Sequence, residues 1–199
     1  MSTGLFMGVR SSFTEGSREQ ADALLREINV VLAAESLPAY IDPDPPPNVY
    51  LGHLFGRSAL DHHSSRVLVL IAEQAAHSKQ SPNLALIRDN PYRVVFVPEK
   101  LVEPHVTQYR DCIDGRPVQI WVGSLDGLLD ELRRLADGLG IPTVNGQIAD
   151  ETAAAINDFK PLSETDTTEL IEDWRTAWLA LYEGARLAEA NAVALSLAG

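Results

Sequence analysis

The stretch PVQIWVGSLDGLLDELRRLADGLG, residues 117–140, decides the fold class. Its opening residues place Val118, Ile120 and Val122 on one side of an extended chain, the period-two pattern of a half-buried strand. From Ser124 onward the period changes. Leu125, Leu128, Leu129, Leu132, Leu135 and Leu139 recur at steps of three and four, which a helix of 3.6 residues per turn gathers into one stripe. Ser124 is a residue type that caps helix N-termini, and Gly138 and Gly140 end the run. A strand passing straight into an amphipathic helix, each with one apolar face, calls for a sheet with helices packed on it.

Working outward toward the N-terminus, Asp114-Gly115 predicts a hairpin turn between strands Tyr109–Ile113 and Pro117–Val122. Arg93–Val97 and Asn83–Ile87 read as strands joined by the turn Arg88-Asp89-Asn90-Pro91. Ser64 or Ser65 can cap a second helix reaching about Lys79. A strand at Val67–Ile71 is the rival, and the unbroken run from Ala72 to Gln80 favours the helix. Ser17 and Gln20 form a capping-box pair, followed by Ala21, Leu24, Leu25, Ile28, Val31 and Leu32 on one helical face. That helix fades near Ser36, and Leu5–Phe13 before it reads as a strand. Toward the C-terminus, Asp150 caps a short helix to Phe159, Lys160-Pro161 breaks it, and Ser163 opens a long one. In the long helix Ile171, Trp174, Trp178, Leu181, Ala185, Ala188, Ala192 and Leu195 alternate steps of three and four, a heptad seam. The whole predicts an α+β fold: a mixed or antiparallel sheet with helices on one face. Residues 1–145 would form the domain, and 146–199 a helical C-terminal extension packed on it.

Composition narrows the function classes. With 45% hydrophobic and 22% charged residues in 199, the chain can build a core without staples. Its one cysteine, Cys112, permits neither an internal disulfide nor a zinc site needing two thiolates. The longest apolar run, Val67–Ala72, is far short of the roughly 20 residues that span a bilayer. The start MSTGLFMGVRSSF has no signal-peptide pattern, so a cytoplasmic location is expected. A net charge of −12 disfavours nucleic acid and anionic membranes as partners. The acidity is uneven: from Asn145 onward ten acids stand against three bases. Such a skew serves solubility as a solvated helix face, or serves as a landing surface for a basic protein.

Reactive side chains concentrate in the segment from Pro38 to His63. Its proline run Asp42-Pro43-Asp44-Pro45-Pro46-Pro47 cannot be helical, yet Tyr40, Tyr50, Leu54 and Phe55 predict that it is ordered and packed. His53, Arg57, Asp61, His62 and His63 form its polar cluster. Imidazole and carboxylate are what a hydrolytic metal site requires, but adjacent side chains diverge and no His-x-His or His-x-x-x-His pair exists. The triplet Asp61-His62-His63 resembles the signature of the DHH phosphoesterases over those three residues only; the family's further aspartate motifs have no counterpart. The plain alternative is that Asp61 precedes or caps the second helix. No Gly-x-Ser-x-Gly elbow and no phosphate loop occurs, so no cofactor and no metal are expected. Cys112 in a strand has no cationic setting and reads as core, and His105 has no evident partner.

Trp174, Trp178 and Tyr182 form an aromatic ridge, either core packing or an interface. With Glu169, Glu172 and Asp173 beside it, the ridge is the candidate interface. The reading that fits best is a non-catalytic cytosolic binding protein, with an immunity-type inhibitor of a basic partner as its concrete form. A metal-dependent hydrolase with its site in the 38–63 loop is the first alternative. A self-assembling component, dimerising through the C-terminal helix, is the second.

Overall fold

The computed structural model describes residues 4–13, 17–44, 70, 71, 73, 81–89, 93–111, 114–158 and 167–198. Five strands form a mixed sheet in the spatial order β1 (Gly4–Met7), β7 (Leu195–Ala198), β2 (Arg93–Val97), β4 (Pro117–Ser124), β3 (His105–Arg110). Strands β2 and β4 run parallel, and the other neighbours are antiparallel. A separate two-stranded hairpin joins β5 (Thr143–Val144) to β6 (Gln147–Ile148). The helices are α1 (Arg18–Ala34), α2 (Pro82–Asp89), α3 (Leu125–Gly138), α4 (Asp150–Asn157) and α5 (Thr167–Ala190). The fold is α+β, as the 117–140 stretch requires.

Helices cover both faces of the sheet, not one. On the first face α1 packs Leu24, Leu25, Ile28, Val31 and Leu32 against Val95, Val97, Tyr109, Ile120 and Val122. On the second, α2, α3 and α5 bury Leu84, Ile87, Leu128, Leu132, Trp178 and Tyr182 against Leu5, Met7, Val94, Phe96 and Leu197. The physical sign was present in β2, where Val94 to Val97 are apolar at every position, as in strands buried on both sides. Alternation at β3 and β4 concealed it.

Residues 83–87 are helix, not strand. The Ser81 carbonyl accepts from the Ala85 amide at 3.1 Å, which sets Pro82 in the first helical turn, where its missing N–H costs nothing. The exposed amides of this new helix end are met from outside. The buried Glu131 carboxylate of α3 accepts from the Asn83 amide and side chain (3.0 and 2.9 Å) and from the Leu84 amide (2.7 Å). Asn83 Oδ1 in turn accepts from the Ser124 amide at 3.0 Å. A contact 48 residues distant thus decides a local structure that leucine spacing misreads.

Glu131→Gln should cost about 1–3 kcal/mol, because one amide group cannot accept from donors on both of its atoms. Burial also pushes the Glu131 carboxyl above its ordinary range. A pKa raised on folding contributes stability that is full below the unfolded value and lost as pH rises through the folded one. The native protein should therefore gain on the glutamine variant as pH falls from 7 toward 4.5, measured as the difference in Tm. A constant difference would remove this residue from the pH dependence.

The chain ends in a strand. Helix α5 stops at Ala190, Ala192 turns with φ +51°, and Leu195 lies in β7 between β1 and β2. The last positions of the heptad seam are therefore not helical. At the other end, the N-terminal strand stops at Met7, and Arg10–Ser12 form a 3-10 turn. Ser17 caps α1 without a side-chain cap bond, and Gln20 reaches across to Asp111 at 2.9 Å.

The turn after β1 is built around Asp42. Its carboxylate accepts from the Val9 amide (2.9 Å), the Arg10 amide (2.8 Å) and the Tyr40 hydroxyl (2.5 Å). Tyr40 is buried, and its oxygen accepts from the Ala194 amide at 2.9 Å, so this short loop ties both chain ends together. Burial raises the Tyr40 phenol well above its usual pKa. Gly8 has φ +88°, and a Cβ there would stand 2.8 Å from Asp42 Oδ1. Asp42→Ala orphans a buried Val9 amide and is expected to cost about 1–3 kcal/mol in denaturant unfolding. The rest of the proline segment from residue 45 lies outside the described residues, as does the second helix apart from helical Leu70, Ile71 and Glu73.

Candidate interaction surface

Three acids join separate parts of the fold. Asp42 and Glu131 close the two networks above, and Glu35 ties α1 to β3 by accepting from the Val102 amide at 2.9 Å and contacting His105 Nε2. Those contacts hold the Glu35 carboxyl below its ordinary range, the His105 bond most strongly. This is the partner of His105 that the sequence did not disclose. Glu99 is raised by burial, and its Oε2 is buried without a hydrogen-bond partner among the described residues. Among the described residues no group of three or more His, Cys, Asp or Glu could hold a metal ion. His53, Arg57, Asp61, His62 and His63, with the hydrolase alternative that depends on them, lie outside the described residues, as does Cys112.

The surface acids divide into two sets. One set is matched within the chain: Asp22 with Arg10 (2.9 Å), Asp44 with Arg18 (2.6 Å), Asp114 with Arg116 (3.3 Å), Asp126 with Lys100 (3.0 Å), Asp130 with Arg133 (3.0 Å) and Glu183 with Arg186 (2.8 Å). Others are exposed and form no ion pair with a described residue, among them Glu19, Glu103, Asp137 and Glu189, and three such acids stand together at one corner. Asp150, Glu151 and Asp158 on and just after α4 are exposed, and none forms an ion pair with a described residue. Helix α4 packs against α5: Asp150 acts on Arg186, and Thr152, Ala155 and Ile156 share a hollow with Arg175. The first two turns of α5 carry Glu169, Glu172 and Asp173. The side chains of those three acids lie outside what the structure describes.

Of the residues singled out in the sequence, two of the aromatic ridge belong to the chain's own core. Trp178 and Tyr182 are fully buried, stacked with ring centroids 4.8 Å apart, and Trp174 is partly buried against the same core. Trp178 Nε1 donates to the Leu132 carbonyl (2.8 Å), and the Tyr182 hydroxyl to that of Gly146 (2.8 Å). The three α4 acids were counted in the sequence but not chosen. Their signal was the spacing of Glu151 and Asp158 with Ala155 between them, at i, i+4 and i+7. An open groove of about 770 Å³ between α1 and edge strand β3 is lined by Arg26, Glu27, Arg110, Gln108 and Gln119 and carries no excess of acids. No described helix is long and apolar enough to cross a membrane.

No curated protein and no solved structure matches the chain. Residues 79–196, more than half of it, match the model of a family described as "Putative DNA-mimic protein". The match covers α2 through the first half of β7, and hence the acidic corner. It supports a binding role, directed at proteins that bind DNA. The partner expected from the sequence, an unspecified basic protein or a second copy joined through the C-terminal helix, is corrected by these findings. The family description points to DNA-binding proteins as the class. The aromatic residues of the seam are consumed by the chain's own core.

Proposed function

The chain belongs to that DNA-mimic family, and on this premise we propose that its α4–α5 corner occupies the DNA-binding face of a partner protein. In doing so it acts as an inhibitor, holding the partner off DNA. The observation that carries the reading is where the negative charge falls within the matched segment. Between residues 79 and 144 acids and bases nearly cancel, nine against eight, whereas from 145 onward ten acids face three bases. Acids paired within the chain present little field to a partner, and a segment where acids outnumber bases presents a stronger one.

Density supports the comparison with a phosphate backbone. Duplex DNA carries one charge per ~1.7 Å of axis, or one per ~3.4 Å along a strand. A helix rises ~1.5 Å per residue, so Glu169, Glu172 and Asp173 fall within ~6 Å of axis, close to the single-strand density. Carboxylates have the charge and acceptor oxygens that phosphate-reading lysines and arginines expect.

The test is competition. DNA-binding proteins of the source cell, eluted from DNA-cellulose, are passed over the immobilised chain, and retained species are challenged with duplex DNA. Duplex should displace them, and the free chain should release them from labelled duplex. A stable ternary complex of chain, partner and duplex would sink the reading.

A further inference from the structure

The acidic corner holds a cleft that charge mimicry does not require. Between the turn after α3 and helix α4, Ile141, Pro142, Thr152, Ala155 and Ile156 line an open hollow of about 230 Å³, with Arg175 of α5 at its side. Small-molecule sites begin near ~300 Å³, so this hollow suits one side chain better than a free ligand. Its walls are mainly apolar. Its rim is not: Glu151, Ala155 and Asp158 share one helical stripe, so an exposed acid stands on each side of the alanine that lines the cleft. Asp137, also exposed, ends α3 shortly before the turn.

We propose that this cleft receives one apolar side chain of the DNA-binding partner, flanked in that partner by lysines or arginines that meet Glu151 and Asp158. The inference rests on the corner being the docking face. The acid rim selects cationic neighbours for whatever enters. Arg175 at the side opposes a second cation inside the hollow and favours a ring, whose face attracts a guanidinium. Duplex DNA offers a partner no such hollow, and attraction to a charged surface alone is nearly indifferent to which cationic protein arrives. A buried anchor inside a polar rim is what singles out one partner.

The probes are the capped peptides Lys-Lys-Phe-Lys-Lys, Lys-Lys-Ser-Lys-Lys and Glu-Glu-Phe-Glu-Glu, titrated into the full chain and followed by amide NMR shifts. The phenylalanine peptide with lysines should bind about tenfold tighter than the serine one, the worth of burying one ring. Its shifts should centre on Ile141, Thr152, Ala155 and Ile156, and the glutamate peptide should not bind. Ala155→Trp, which fills the hollow from an exposed position, should reduce the phenylalanine peptide to the serine level with melting unchanged. Equal binding of the two lysine peptides overturns the anchor while leaving competition with duplex untouched. Absence of shifts at the cleft, or binding of the glutamate peptide, overturns it as well. If duplex fails to compete for the partner while the peptides behave as expected, the docking reading fails and the cleft stands.

Discussion

Trp178→Ala is expected to cost about 3–5 kcal/mol of folding stability, and the loss should not depend on protein concentration. The indole is fully buried, stacked on Tyr182 at an interplanar angle of 8°, and its N–H donates to the Leu132 carbonyl of α3. Removing it leaves a cavity between α3 and α5 and takes away the indole's hydrogen bond to α3, so two costs add. Against the roughly 5–15 kcal/mol that holds a domain together, this is a large fraction. For a chain of this size each kcal/mol moves Tm by ~2–4 °C, which gives a fall of roughly 6–20 °C in a thermal melt. A residue in a dimer seam would lose its contribution on dilution, by mass action. Melts of the native chain and the variant across a hundredfold range of concentration separate the two situations. A gap that widens with concentration would restore the seam.

Sequence alone sufficed for α1, α3, β4 and the turn before it because their signals are local, whereas the strand expected at Tyr109–Ile113 lies earlier, at His105–Arg110. Leu24, Leu25, Ile28 and Leu32 have no competing period, and Asp114-Gly115 is a turn whichever fold surrounds it. The errors arise where a distant partner overrides a local pattern. Helix α2 forms beneath Glu131, and nothing near Asn83 announces that carboxylate. Strand β7 follows an alanine-rich helix whose spacing continues through Ala192 and Leu195. Its strand character comes from pairing with β1 and β2, and β1 lies at the opposite end of the chain. The aromatic ridge misled for another reason: a core and an interface both ask for an apolar stripe, so spacing cannot separate Trp178 in the one from Trp178 in the other. The acid skew was visible as a count. Which acids are matched was not, since pairs such as Asp44 with Arg18 or Asp126 with Lys100 join residues 26 apart in each case.

That division carries the second large effect. Neutralising Asp150, Glu151, Asp158, Glu169, Glu172 and Asp173 with Asn and Gln should weaken binding to the DNA-binding partner by about 10- to 10⁴-fold. Each exposed ion pair is worth ~0.2–1 kcal/mol, and each 1.4 kcal/mol is a factor of ten. The loss should lie mainly in the on-rate, and the steep fall of that rate with salt should flatten. For Asp150, Glu151 and Asp158, which are exposed, the change in folding should stay below ~0.5 kcal/mol, because substitutions at exposed positions cost little. Formal charge alone could produce the same outcome, and a matched control removes that objection. The triple variant Asp150→Asn, Glu151→Gln, Asp158→Asn and the triple Asp44→Asn, Asp114→Asn, Asp130→Asn remove the same net charge. The first takes it from the α4 corner, and the second from ion pairs with Arg18, Arg116 and Arg133. Stopped-flow association at low salt should show the first triple slowed and the second close to native. Equal slowing would mean that the partner responds to the total charge of the chain and not to the corner.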